Sequence, residues 1–156
     1  MAQAVGRANL GAWLLKCNPD LWDLPGFIRS GQSRISSWAV QRNYRSDLMA
    51  PQDRVLFWVS GSGSSGLARG IWGAGHVVAP AEDWSDDDRG FWIRDQPRRA
   101  VRGRVQVDIA LFDEPVTVTD LRERGVTDLE VQKIPQGANP SWLTVAQLAV
   151  VDELLP

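Results

Sequence analysis

Asp53-Arg-Val-Leu-Phe-Trp-Val-Ser60 and, beyond a Gly/Ser loop, Gly70-Ile-Trp-Gly-Ala-Gly-His-Val-Val78 are the stretches that decide the fold. Arg54–Ser60 is dense in β-branched and aromatic residues, the composition of a strand buried against neighbours. Gly70–Val78 has the same character, and the loop between is short enough for the two to pair as a hairpin-like unit. C-terminal to them, Val101–Leu111 alternates apolar and polar residues, the period of a strand with one buried face.

N-terminal to the pair, the apolar run Ala12–Cys17 predicts a strand that ends at the Asn18-Pro19 turn signal. Asp23 is placed to cap a helix over Leu24–Ser30, with Pro25 tolerated in its first turn and Gly31 stopping it. A strand over Arg34–Ala39 and a helix around Gln41–Met49 follow, the helix placing Tyr44 and Leu48 on one face and ending at Pro51. Near the end, Asp120–Arg124 reads as a helical turn, and Thr144-Val-Ala-Gln147 is a capping box opening a last helix. Residues 1–11 read as a loose leader and 12–156 as one domain, which suits a 156-residue chain.

Composition narrows the chemistry. With one cysteine, Cys17, and one histidine, His76, the chain lacks a disulfide framework and the usual zinc ligand sets, so no metal or cofactor is expected. The apolar runs are too short to cross a bilayer, and a cytoplasmic location without membrane contact is expected. Net charge is −2, but residues 1–50 carry 6 basic and 3 acidic groups and residues 111–156 carry 3 and 8. Arg94, Arg98, Arg99, Arg102 and Arg104 make a basic run, and Arg29, Arg34, Arg42 and Arg45 add to an arginine-rich first third.

Gly61-Ser-Gly63-Ser-Ser-Gly66 matches a dinucleotide-binding glycine pattern, yet strand-like sequence follows it where a helix would have to open. It reads as a connection between strands. His76 lies in an apolar strand pattern with no nucleophile and orienting group beside it, and Asp86–Asp88 sit in a solvated loop, so no catalytic set emerges. The eight tryptophans are the unusual feature. Trp13, Trp58, Trp72 and Trp142 read as core; Trp38, at a strand end before a polar run, is placed to face a cleft; Trp22, Trp84 and Trp92 fall in expected loops.

W-L-L-K-C-N-P-D at Trp13–Asp20, W-A-V-Q-R-N-Y-R at Trp38–Arg45, D-R-V-L-F-W-V-S at Asp53–Ser60 and G-I-W-G-A-G-H-V at Gly70–Val77 together resemble the EVE domain. The later V-Q-V-D-I and N-P-S-W-L-T-V-A-Q-L segments extend that resemblance from residue 12 over nearly the whole chain. It implies an α+β fold of the PUA-like superfamily, a curved, mostly antiparallel sheet or pseudo-barrel flanked by short helices, related to YTH domains. It implies a non-catalytic module that binds DNA or RNA and holds a flipped base of the 5-methylcytosine, 5-hydroxymethylcytosine or N6-methyladenine type in a tryptophan-lined pocket. By position, the resemblance assigns Trp38, Ser37, Ala39, Asn18, Trp22 and Trp92 to the base pocket, with Trp84 competing for the place of Trp92. Of these, Trp22 falls where some YTH domains carry an acidic group. Lys16, Arg42, Asn43, Arg45, Arg98 and Arg102 are assigned to the phosphate backbone or the pocket rim. Two alternatives stay open: an enzyme acting on a nucleotide or modified base, and a pocket for a small metabolite or partner protein.

Overall fold

Apolar strands with few charges need partners on both edges, and in this chain they find them in one highly curved sheet. The computed structural model describes residues 4–61, 63–83 and 102–156, except for the side chain of Arg102. The strands are β1 (Leu10–Cys17), β2 (Arg34–Gln41), β3 (Arg54–Val59), β4 (Gly70–Val77), β5 (Glu82–Asp83), β6 (Arg102–Thr117) and β7 (Ser141–Thr144). Short helices lie between or after them: α1 (Leu24–Arg29), α2 (Tyr44–Leu48), α3 (Val118–Glu123), α4 (Glu130–Lys133) and α5 (Val145–Asp152).

The sheet runs β2-β6-β4-β3-β1-β7, with β5 added against β6. β3 and β4 pair as an antiparallel hairpin, as their sequences predict. All the pairings are antiparallel except β1 with β3, which the chain reaches by crossing over through α1, β2 and α2. Close approach of β6 to β4 rests on glycine. A Cβ at Gly75 would lie 1.7 Å from the Asp108 carbonyl oxygen, so no larger residue fits there. The ends of the sheet nearly meet, because the Gln41 N–H at the end of β2 donates to the Asn139 carbonyl just ahead of β7 (2.8 Å).

Alternation along the strands divides the apolar residues between two cores, one on each face of the sheet. One contains Trp13, Leu15, Cys17, Val55, Phe57, Val105, Val107 and Ile109. The other contains Leu14, Leu56, Trp58, Ile71, Val116, Leu121 and Leu143. Trp13, Trp58 and Trp142 are buried, as their strand positions predict. Trp72 is only half-buried and donates its indole N–H to the Ala68 carbonyl (2.7 Å), because the glycines around it leave its strand little side-chain cover.

The caps follow the sequence closely. Asp23 accepts from the Gly26 N–H (3.0 Å), and Thr144 and Gln147 bond reciprocally at the start of α5 (3.1 and 2.9 Å). The segment before β1 is less loose than its composition implies. Val5 is buried, and Arg7 holds Asp53 with two hydrogen bonds of 2.7 Å. No helix among the described residues is long and apolar enough to cross a membrane.

Candidate nucleic-acid interface

Trp38 owes its position to a β-bulge. Strict alternation from Ile35 would turn Ser37 and Ala39 inward and Trp38 outward, but the β2–β6 register shifts between Ile35 and Ser37. The shift returns Trp38 and Val40 to the inner face, where Trp38 is 5% exposed. This corrects the expectation that Trp38 faces an open cleft, since β2 continues to Gln41 and carries it into the core. Its ring stands edge-on to Trp22 (centroids 4.9 Å apart, 69°) and to Phe57 (5.0 Å, 88°), and Trp22 meets Phe27 at 5.3 Å. The Trp38 indole N–H donates to the Lys16 carbonyl (3.1 Å), which satisfies the polar atom that a buried indole must place.

Around that carbonyl the chain is clamped. The Asn139 side chain accepts from the Lys16 N–H (2.8 Å) and donates to the Lys16 carbonyl (3.1 Å), tying β1 to the start of the N-P-S-W segment. The Lys16 ammonium donates to the carbonyls of Pro135 (3.2 Å) and Gly137, and burial lowers its pKa. Lys16 is thus engaged with backbone carbonyls.

Several of the assigned cations are likewise engaged inside the protein. Arg45 makes a two-bond pair with Glu130 (2.6 and 2.8 Å) and donates to the Pro140 carbonyl; each partner's side chain is 20% exposed. The hydrogen bonds that Arg45 donates to Glu130 hold its pKa above the usual value. For Glu130, burial pushes its pKa up, but the bonds from Arg45 and from the Ser141 hydroxyl (2.8 Å) outweigh burial and hold it below the usual range. Arg42 faces Asp83 (3.4 Å) and Asp47 (3.7 Å). Asn43 caps α2, accepting from the N–H groups of Arg45 (2.9 Å) and Ser46 (3.2 Å). Arg45 and Asn43, assigned by resemblance to the phosphate backbone or the pocket rim, are thus engaged within the protein, whereas the buried Arg42 Nη1 has no hydrogen-bond partner among the described residues. Trp92, Trp84 and Arg98 lie outside the described residues, as does the side chain of Arg102.

Asn18 is placed differently from the tryptophans. Its side-chain oxygen accepts from the Asp20 N–H (2.9 Å), and its carbonyl accepts from Leu21 (2.9 Å) and Trp22 (3.0 Å), so one tight turn ends β1 and delivers Trp22 to the first core. The Asn18 side chain itself lines a cleft of about 660 Å³ on the other face, together with Trp58, Ser60, Gly61, Arg69, Arg122, Gln132 and Gln136. Of these, only Asn18 is singled out by sequence. Ser60 and Gly61 begin the very loop whose phosphate-binding pattern fails for lack of a following helix. The rest come from segments far apart in the chain, so no local spacing announces them. Cys17 is buried and its thiol pKa is pushed up by that burial, so it is held as the neutral thiol. No group of three or more His, Cys, Asp or Glu side chains that could hold a metal occurs among the described residues.

The sheet is strongly curved, nearly closed and of mixed pairing, with short helices around it and an aromatic cluster at the turn after its first strand. The chain belongs to the EVE domain family, whose model matches residues 11–148. Among solved structures it is similar to a hypothetical protein from Leishmania major (20% identity, TM-score 0.65, covering 94% of this chain and 95% of that one). It is similar also to the DUF55 domain of human thymocyte nuclear protein 1 (17% identity, TM-score 0.57, 92% and 97% covered). Human THYN1 protein in complex with 5-methylcytosine-containing DNA matches at 12% identity and TM-score 0.53, with 93% and 98% covered. At these identities the likeness is one of fold. No curated protein matches the sequence.

Proposed function

We propose that this domain binds nucleic acid and holds one modified base, of the 5-methylcytosine type, at the outer edge of the Trp22–Trp38 pair. The observation that carries this reading is the pairing of those two rings, 4.9 Å apart beside the edge strand β2, in a fold shared with a protein solved on 5-methylcytosine DNA. As an edge strand, β2 has backbone groups that point away from β6, and in this reading those near Ser37 and Ala39 recognise the base edge. Trp92 is the proposed second wall, and Arg98 and Arg102 are proposed phosphate contacts. The module acts by binding and not by turnover.

Magnitudes decide what each part contributes. Stacking on an aromatic ring is worth about 1–3 kcal/mol per base, and extruding a base from a duplex costs a similar few kcal/mol. Selectivity therefore comes from the base edge and from methyl burial, about 0.8 kcal/mol or roughly fourfold in affinity. A panel of modified and unmodified DNA and RNA oligonucleotides, read by tryptophan fluorescence at two salt concentrations, tests the reading. The expected result is tighter binding to a methylated cytosine, with the preference reduced in Trp38→Phe while the fold stays intact. Equal binding to all members of the panel, or turnover of a free nucleoside by the purified protein, would overturn it.

A further inference from the structure

The cleft on the second face lies opposite the tryptophan cluster, and its chemistry is that of a phosphate site. Its cations are Arg69 and Arg122, and none of its lining residues is acidic. Most other arginines among the described residues are matched: Arg7 with Asp53, Arg34 with Asp108, Arg42 with Asp47 and Asp83, Arg45 with Glu130, Arg54 with Asp152 and Arg124 with Glu153. Arg69 and Arg122 have no carboxylate partner among the described residues. Their backbones are held together, since the Val118 N–H donates to the Arg69 carbonyl (3.0 Å) and Arg122 follows Val118 by one helical turn of α3.

A second feature is independent of charge. Trp58 lines the cleft and is 5% exposed, yet its indole N–H makes no hydrogen bond among the described residues. It is also not among the fully buried side-chain atoms left without a partner, so this donor keeps some exposure on a residue that lines the cleft. Arginine guanidinium groups and an indole N–H are all donors, and a phosphate ester offers only acceptors. The neighbouring cleft of about 460 Å³ shows the contrast. It is lined by Glu114, Asp120 and Glu123, and its one arginine, Arg124, is already bonded to Glu153.

We infer that the Arg69–Arg122 cleft holds the phosphodiester backbone of the strand that flanks the bound base. The inference rests on the proposed base-holding function, and the Asn18 turn supplies the connection. Its backbone positions Trp22 on one face while its side chain lines the cleft on the other, so a strand passing the end of the sheet meets both. Such a contact sets affinity and salt dependence without reading sequence.

The test measures oligonucleotide affinity against salt for the wild type and for the double variant Arg69→Gln, Arg122→Gln. Each lost phosphate contact flattens the slope of log affinity on log salt by about 0.7–0.9. The double variant should therefore lose roughly 1–2 in slope, by the same factor for methylated and unmethylated strands. An unchanged slope, with folding verified by circular dichroism, would sink the inference and leave the base-holding function standing. If the wild type binds no oligonucleotide, the base-holding reading falls and the cleft is decided separately by titrating a nucleoside monophosphate against arginine side-chain NMR signals. Saturable shifts at Arg69 and Arg122 in the wild type, with nucleotide affinity lost in the double variant, would keep the phosphate site, with a free nucleotide as its ligand. Their absence would end it.

Discussion

Trp38 and Trp58 are each 5% exposed, but they stand on opposite faces of the sheet and in opposite circumstances. The Trp38 ring meets Trp22 and Phe57, and its indole N–H is taken by the Lys16 carbonyl. Trp58 lines an open cleft together with Arg69 and Arg122, and among the described residues its indole N–H makes no hydrogen bond and neither arginine has a carboxylate partner. Burial alone therefore does not tell whether a tryptophan's polar atom is satisfied within the protein. What separates the two rings is whether the surrounding polar groups are satisfied within the protein.

The largest effect expected from this comparison is on the first face. Trp38→Ala removes a packed ring and the bond to Lys16, and should destabilise the domain by about 3–5 kcal/mol. Urea unfolding followed by circular dichroism measures it. A loss below about 1 kcal/mol would mean that the ring is not packed as described, and would return Trp38 to the role of an open cage wall. For the same reason, lost binding in Trp38→Ala cannot be credited to the pocket, and Trp38→Phe is the useful variant for recognition.

Acid stability probes the polar side of that packing. The Asp53 side chain is 6% exposed and accepts from Arg7 twice, from the Trp13 indole (2.9 Å) and from the Ala50 N–H (3.0 Å). Burial pushes its pKa up, but these donors together outweigh burial and hold it below the usual value, as happens also at Glu130. A carboxyl whose folded pKa is depressed adds stability that is fully present above its unfolded value. That stability is lost as pH falls through the folded value. Melting temperature should thus be level near neutrality and drop below about pH 4, the ordinary carboxyl range. Asp53→Asn should be less stable at neutral pH and lose less on acidification than the wild type. A parallel pH profile for the two proteins would show that Asp53 is not the group responsible.

Legibility in the sequence divides along the same lines. The strand pair at residues 54–77, the Asp23 cap and the Thr144–Gln147 capping box rest on contacts between near neighbours, and local pattern announces them. The orientation of Trp38 depends on a bulge opposite β6, about seventy residues away, which alternation in β2 alone cannot reveal. The occupation of Arg45 by Glu130 spans 85 residues, so an arginine that looks free in sequence is matched in the fold. β7 is four residues long and α4 likewise, too short for any periodicity to appear. The family resemblance supplied the fold correctly because several short motifs in order constrain topology. The burial of each side chain, by contrast, depends on partners outside its motif, as Trp38 and Arg45 show.

The smallest effect is the most informative about the second face. Arg69 and Arg122 are exposed and form no ion pair among the described residues, so replacing them removes no intramolecular bond. Each substitution to glutamine should change stability by no more than about 0.5 kcal/mol, the range for surface positions without such contacts. Thermal melts of Arg69→Gln, Arg122→Gln and the double variant check this. A loss of 1–2 kcal/mol would mean that the arginines support the fold, and any fall in oligonucleotide affinity could then be structural. Unchanged melts make the binding comparison clean. One face would then answer to stability and the other to salt, with Asn18 the residue at the turn where they meet.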